Sequence, residues 1–235
     1  MKHVLITGGS GKLGAALFHI MDNAHIGTRE NFDFTNLSMM ENFLNQHPEI
    51  KTIIHCGALV SPPKVNEQVD TAIQSNIIGS SLLSIVCHQR GIRLIYISTD
   101  YVFSGEKGNY TETDNLLPQN KYAWSKLGGE AAVQMLENFV IIRLSFGPDE
   151  FPYKAAFIDQ YTSREPVSKI IEKIKKIAVS EFKGVIHVGA NRKSVFEYAQ
   201  SIGAKELDQI SIKDMSVKMP VDTSLNTSLY KSIFE

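Results

Sequence analysis

A chain of 235 residues can bury one sizeable core, or a large domain with a small lobe, but cannot hold two independent enzymes. Its 43% hydrophobic and 21% charged residues exclude a disordered or fibrous polymer. With 24 Lys and Arg against 25 Asp and Glu, the net charge of −1 gives no electrostatic case for a nucleic-acid partner.

Met1 to His3 run straight into Val4-Leu5-Ile6, an apolar run too short for a signal peptide or membrane span. Neither export nor a membrane partner is therefore expected. Val4 to Thr7 reads as a buried strand, and the segment from Leu13 to Met21 carries apolar residues at helical spacing. The unit repeats as a strand at Thr52–His55 with a helix within 65–88, and as a strand at 93–98 with a helix within 122–136. A further strand is expected at Val140-Ile141-Ile142.

Short Ile/Val/Leu runs alternating with helices predict an α/β fold, a doubly wound parallel sheet covered on both faces. Ligands of such sheets lie beyond the carboxyl ends of the strands. From about Gly147 the pattern shortens: a helix is expected at 167–179, a strand at 185–188, and a helix at 194–201 with Ser194 and Glu197 as a capping box. The expected organisation is residues 1–147 as the domain built on this sheet and 148–235 as a small C-terminal α/β lobe, interleaved with and packed on the first.

Thr7-Gly8-Gly9-Ser10-Gly11-Lys12-Leu13-Gly14 links the first strand to its helix and satisfies G-x-G-x-x-G from Gly9, or T-G-x-x-G-x-x-G with Gly8, Gly11 and Gly14. Pyrophosphate binding needs a tight turn, close backbone approach and a helix N-terminus aimed at the anion. Gly8, Gly11, Lys12, Leu13 and Gly14 are therefore cofactor candidates. The second strand should end near Gly27-Thr28-Arg29, where Arg29 would accommodate the 2′-phosphate of NADP or is a plain surface charge, with Glu30 beside it. Asp33, next to Phe34, either accepts from an adenine amino group or caps the following helix.

Tyr122-Ala123-Trp124-Ser125-Lys126 places a phenol and an ammonium one helical turn apart on one face. A fixed cation favours phenolate and should lower the tyrosine pKa from its ordinary value of about 10. Tyr122 would then move a proton to or from a carbonyl oxygen while a nicotinamide exchanges hydride. The strand Ile95-Tyr96-Ile97 runs into Ser98 and Thr99, either of which could donate to the developing oxyanion or cap the strand end; Thr99 is preferred.

The loop 7–14, the stretch 98–105 and the run 122–130 closely resemble the extended short-chain dehydrogenase/reductases, in the dTDP-4-dehydrorhamnose reductase branch. The likeness continues through 142–147 and more faintly through 157–161 and 184–188. It implies a Rossmann-type domain, NADP or NAD as cofactor, and reduction of a 4-keto group on a nucleotide-activated deoxysugar. By position it makes Thr99, Tyr122 and Lys126 the catalytic triad. Cofactor contacts carried over are Cys56, Gly57 and Ala58, Asn76 in the family's helix asparagine position, and Ser98. A homodimer is compatible with this reading.

Two departures fall on the substrate side. The chain is short between Gly147 and Phe157, and Lys218-Met219-Pro220 stands where relatives tend to carry Arg-Pro. Replacing a bidentate phosphate contact by a thioether forfeits about 1.5–3 kcal/mol, so either Lys218 substitutes or the substrate is not the usual nucleotide-sugar. Two other functions are weighed: an epimerase or dehydratase that keeps its NAD, and a non-catalytic binding subunit, as the methionine adenosyltransferase regulatory protein is. His55 reads as a packed strand histidine. The seven histidines show no H-E-x-x-H spacing, and Cys56 and Cys87 form no C-x-x-C, so no metal is expected and a cytoplasmic location is natural.

Overall fold

The structure is a computed structural model that describes residues 3–215 and 219–235; Lys218 lies outside the described residues. The chain begins with β1 (Val4–Thr7), α1 (Lys12–Ile20), β2 (His25–Gly27), α2 (Leu37–Gln46) and β3 (Thr52–His55). Next come α3 (Pro62–Glu67), α4 (Val69–Ala72), a π-helical stretch Ile73–Gly79, α5 (Ser80–Arg90), β4 (Arg93–Ile97), α6 (Lys121–Val133) and β5 (Phe139–Leu144). The rest comprises β6 (Phe146–Gly147), β7 (Ala155–Phe157), β8 (Tyr161–Thr162), β9 (Glu165–Pro166), α7 (Val167–Ala178) and β10 (Gly184–Val188). It closes with β11 (Lys193–Ser194), α8 (Val195–Ser201), β12 (Asp208–Ile210) and α9 (Ser228–Phe234).

Six strands form one parallel sheet in the order β10-β5-β4-β3-β1-β2. Consecutive side chains on a strand point to opposite faces, and the two cores follow from that alternation. Val4 and Ile6 join Leu17, Ile54, Ile142, Ile170, Ile174 and Ile186 beneath α1 and α7. Leu5 joins Met40, Leu44, Ile53, Leu83, Leu94 and Ile141 beneath α2 and α5. The expected doubly wound α/β sheet is present, and every strand read from the sequence lies in it.

The chain leaves β1 to one side for β2 and returns past it to β3, which puts the topological switch point between β1 and β3. The main sheet does not end at Gly147: β10 pairs with β5, and α7 fills the first core. The remaining C-terminal segments make small two-stranded pairs, β8 with β11, β7 with β12 and β6 with β9. The Ser194–Glu197 capping box forms at α8 as expected. Residues 148–154, in the shortened region, adopt neither helix nor strand.

Candidate active site

The glycine loop sits at the switch point. Gly8 has a φ of +69°, and a Cβ there would lie 2.6 Å from the Gly57 backbone nitrogen, so the loop packs directly on the turn after β3. A Cβ on Gly14 would lie 2.4 Å from the Gly8 carbonyl oxygen, which fixes the close passage of α1 over the loop. Gly11 is different: an added Cβ meets only the Gly8 oxygen, at 3.2 Å. Gly11 caps α1 without a side-chain hydrogen bond, leaving the first-turn N–H groups to face an anion.

This loop forms one wall of a cavity of about 260 Å³, whose other walls include Arg29, Asp33, Phe34 and Cys56-Gly57-Ala58. Most of the cofactor candidates thus gather in one place. Three stand apart. Leu13 turns its side chain into the core beneath α1, and Lys12 is exposed at the helix start, away from the cavity walls. Asn76 is fully buried within the protein: its Oδ1 accepts from Leu59 N–H at 2.7 Å, and its Nδ2 donates to the Leu59 carbonyl and to Ser125 Oγ, each at 2.9 Å. Its amide fastens the loop after β3 to α6.

Asp33 Oδ1 accepts from the Thr35 backbone and hydroxyl, while Asn36 caps α2, so the capping alternative for Asp33 does not hold. Arg29 is exposed at the cavity lip. His55 is buried between Thr7 Oγ1 at 2.7 Å and Ser80 Oγ at 3.2 Å. Burial and the nearby Lys126 charge lower its pKa to about 3, which makes it the neutral packed histidine expected.

A second cavity of about 160 Å³ opens beside the first at the same edge of the sheet, walled by Ser61, Thr99, Tyr101, Tyr122, Ser145 and Arg164 among others. The loop 56–61 runs from one cavity to the other, and Ser61 within it holds a strained φ of +81°. Asn120 caps α6 by accepting from Ala123 N–H, which sets Tyr122 in the first turn. The paired glycines further along let that helix lie close to its neighbours: a Cβ on Gly129 would meet the Tyr96 hydroxyl at 2.3 Å and the Asn76 carbonyl at 2.8 Å.

Glu130, fully buried on α6, takes a salt bridge from Arg143 on β5 at 2.8 Å and a short hydrogen bond from Ser98 Oγ. That triad of contacts locks the helix bearing Tyr122 and Lys126 to the ends of β4 and β5. It also occupies the Ser98 hydroxyl. Of the two strand-end hydroxyls, Thr99 is the one beside Tyr122, and its hydrogen bond acts to lower the phenol pKa.

Burial nonetheless dominates and raises the Tyr122 pKa above its ordinary value. The expectation that Lys126 keeps this phenol acidic is not met in the free chain. Lys126 is itself buried, with Nζ 4.0 Å from the centre of the Tyr96 ring, and loss of solvation lowers its pKa to about 7. Glu130 and Cys56 act in the other direction on that ammonium. Tyr122 at neutral pH is a protonated donor, the form a ketone reduction needs.

Arg164 escaped the sequence reading. Its guanidinium borders the second cavity, 5.9 Å from the Tyr198 ring and 3.5 Å from Ser145 Oγ, and its charge reaches Asp100 and Tyr101. Asp100 is tied to the C-terminal segment by the Thr223 hydroxyl at 2.7 Å. A third cavity of about 160 Å³ adjoins through Tyr101 and is walled by Gln119, Asn120 and Met219 among others.

A parallel sheet with a glycine loop at its switch point and a Tyr-x-x-x-Lys helix at the same edge defines an extended short-chain dehydrogenase/reductase. More particularly, the chain belongs to the RmlD substrate binding domain family, which matches residues 1–168. Rat methionine adenosyltransferase 2 subunit beta is 30% identical over 227 residues, covering 81% of this chain and 67% of its own length. A dTDP-4-dehydrorhamnose reductase of Mycobacterium tuberculosis is 36% identical over 145 residues, 56% of this chain and 45% of that protein. Among solved structures, the dTDP-4-dehydrorhamnose reductase of Bacillus anthracis in complex with NADP superposes with a TM-score of 0.87 at 25% identity, covering 98% of this chain and 91% of that one. No helix among the described residues is long and apolar enough to cross a membrane.

Proposed function

We propose that this protein is an NAD(P)H-dependent reductase of a keto group on a nucleotide-activated deoxysugar. The observation that carries the reading is the adjacency of the two cavities at one sheet edge, one built on the glycine loop and the other containing Thr99 and the protonated Tyr122. The residues present fit a dinucleotide: Gly8, Ser10 and Gly11 line the cavity at the N-terminus of α1, where pyrophosphate would take the first-turn N–H groups. Asp33 and Phe34 would line the adenosine end, and Arg29 at the lip favours a 2′-phosphate, hence NADP.

The bound cofactor would supply hydride. Thr99 Oγ1 would orient the substrate carbonyl and donate to the oxygen as it gains charge. Tyr122 would transfer its phenolic proton to that oxygen. Lys126 would bind the cofactor's ribose hydroxyls and, drawn toward Tyr122, stabilise the phenolate left behind. The segments 148–166 and 189–235 would form the substrate side, with Arg164 and the cavity at Met219 receiving the charged part of the substrate.

A panel of 4-keto deoxysugar nucleotides and simpler ketones, followed by loss of reduced-cofactor absorbance, tests the assignment. Turnover with at least one nucleotide-sugar is expected, and a dead panel despite tight NADPH binding overturns it. That outcome would favour the second reading, a non-catalytic cofactor-binding subunit, which the 30% identity to the rat subunit beta supports. A retained-NAD epimerase or dehydratase would instead convert substrate with no net loss of reduced cofactor.

A further inference from the structure

Outside both cavities, at the N-terminal end of the edge strand, two imidazoles converge on one carboxylate. His25 opens β2, a three-residue strand that pairs only with β1. His47 caps the C-terminus of α2, and Glu49 follows in the connection to β3. His25 Nε2 lies 3.0 Å and His47 Nδ1 3.3 Å from the same Glu49 oxygen, and all three atoms fall within 4.8 Å of one another. The imidazole centroids are 4.4 Å apart, and the Phe43 ring borders both.

We propose that His25, His47 and Glu49 form a zinc-binding site that clamps the edge strand to α2. A tetrahedral zinc bound at about 2.0–2.2 Å requires its ligand atoms to sit about 3.3–3.6 Å apart. The two histidine–glutamate separations come within a few tenths of an ångström of that edge. Two imidazoles and a carboxylate form a donor set that suits zinc and disfavours magnesium, which takes oxygen ligands and keeps its waters. Each ligating nitrogen presents its lone pair, so its ring proton resides on the other nitrogen.

All three side chains are partly exposed, so the ion has an entry path and water completes the fourth position. Sequence spacing conceals the arrangement, because His25 comes from a strand and His47 and Glu49 from the far end of the next helix. The structural consequence is local: an edge strand held along one side by a single three-residue ladder is also pinned through the side chain of its first residue. Since β2 leads directly to Thr28 and Arg29 at the cavity lip, the clamp fixes the strand from which those residues project.

Zinc titration of the full chain by calorimetry tests this, with cobalt(II) as a visible-absorbing substitute. One ion per chain is expected, with a tetrahedral cobalt spectrum, no magnesium binding, and a rise in melting temperature with zinc. His25→Ala, His47→Ala and Glu49→Gln should each weaken binding at least tenfold, while His88→Ala, on an exposed site elsewhere, leaves it unchanged. Glu49→Gln, a near-isosteric change at a partly exposed residue, decides the matter should a histidine variant fail to fold. Absence of stoichiometric zinc binding, or binding indifferent to all three substitutions, overturns the proposal. Neither result bears on the reductase reading, which rests on other residues.

Discussion

Arg143→Met isolates the contact that holds the candidate catalytic helix in place. Arg143 is 2% exposed and Glu130 0% exposed, joined by Nη2–Oε2 at 2.8 Å and by Nε to the two oxygens at 3.1 and 3.3 Å. Removing the guanidinium leaves a desolvated carboxylate with Ser98 as its remaining hydrogen-bond donor, a change that typically costs about 3–5 kcal/mol. For a domain of this size each kcal/mol lowers Tm by roughly 2–4 °C, so a fall of roughly 6–20 °C is expected. Urea denaturation and thermal melting would read it. The double variant Glu130→Leu/Arg143→Met removes both charges together and should recover much of the loss, giving a large coupling in a double-mutant cycle. A single variant within about 1 kcal/mol of wild type, or losses that simply add, would refute the claim that this pair locks α6 to the strand ends.

Gly14→Ala should destabilise the fold by about 1–3 kcal/mol and impair cofactor binding, because the new methyl would lie 2.4 Å from the Gly8 carbonyl; denaturation and NADPH titration check both. Lys126 imparts an unusual pH dependence. Its folded pKa of about 7 lies below the unfolded value of 10.5, so between those limits the unfolded chain binds the extra proton and stability rises with pH. Melting curves at pH 7 and pH 9 should therefore show a more positive slope for wild type than for Lys126→Met, and equal slopes would contradict the buried-lysine argument. Arg29→Ala should reduce the preference for NADPH over NADH by about tenfold, the scale of one charge-assisted phosphate contact at an exposed position. Equal affinities already in the wild type would remove Arg29 from that role.

What was legible in the sequence was local. Buried parallel strands announce themselves as continuous apolar runs, and every such run entered the central sheet. Tyr122 and Lys126 lie within one helix, and the glycine loop within one turn, so residue spacing alone fixes their relation. Contacts across long sequence separations left no such trace. Arg164 reaches the neighbourhood of Thr99 through strand pairing, Asp100 meets Thr223 at a separation of 123 residues, and the His25 cluster joins two elements. Asn76 stands out in the sequence only by position, and the partners of its amide, Leu59 and Ser125, are set by packing. The expected effect of Lys126 on Tyr122 fails for a different reason: Lys126 Nζ lies over the Tyr96 ring, and the phenol is governed by burial, with Asp100 and Tyr101 raising its pKa further and only the Thr99 hydrogen bond lowering it.

The role of the Tyr122 phenol is tested most directly by comparing Tyr122→Phe with the wild-type chain in steady-state NADPH oxidation driven by a 4-keto deoxysugar nucleotide. Loss of the proton donor should lower kcat by about 10²–10⁴-fold, with NADPH affinity nearly unchanged because the ring and the glycine-loop cavity are retained. Undiminished turnover in the variant would show that another group protonates the substrate, and the assignment of this site would fall with it.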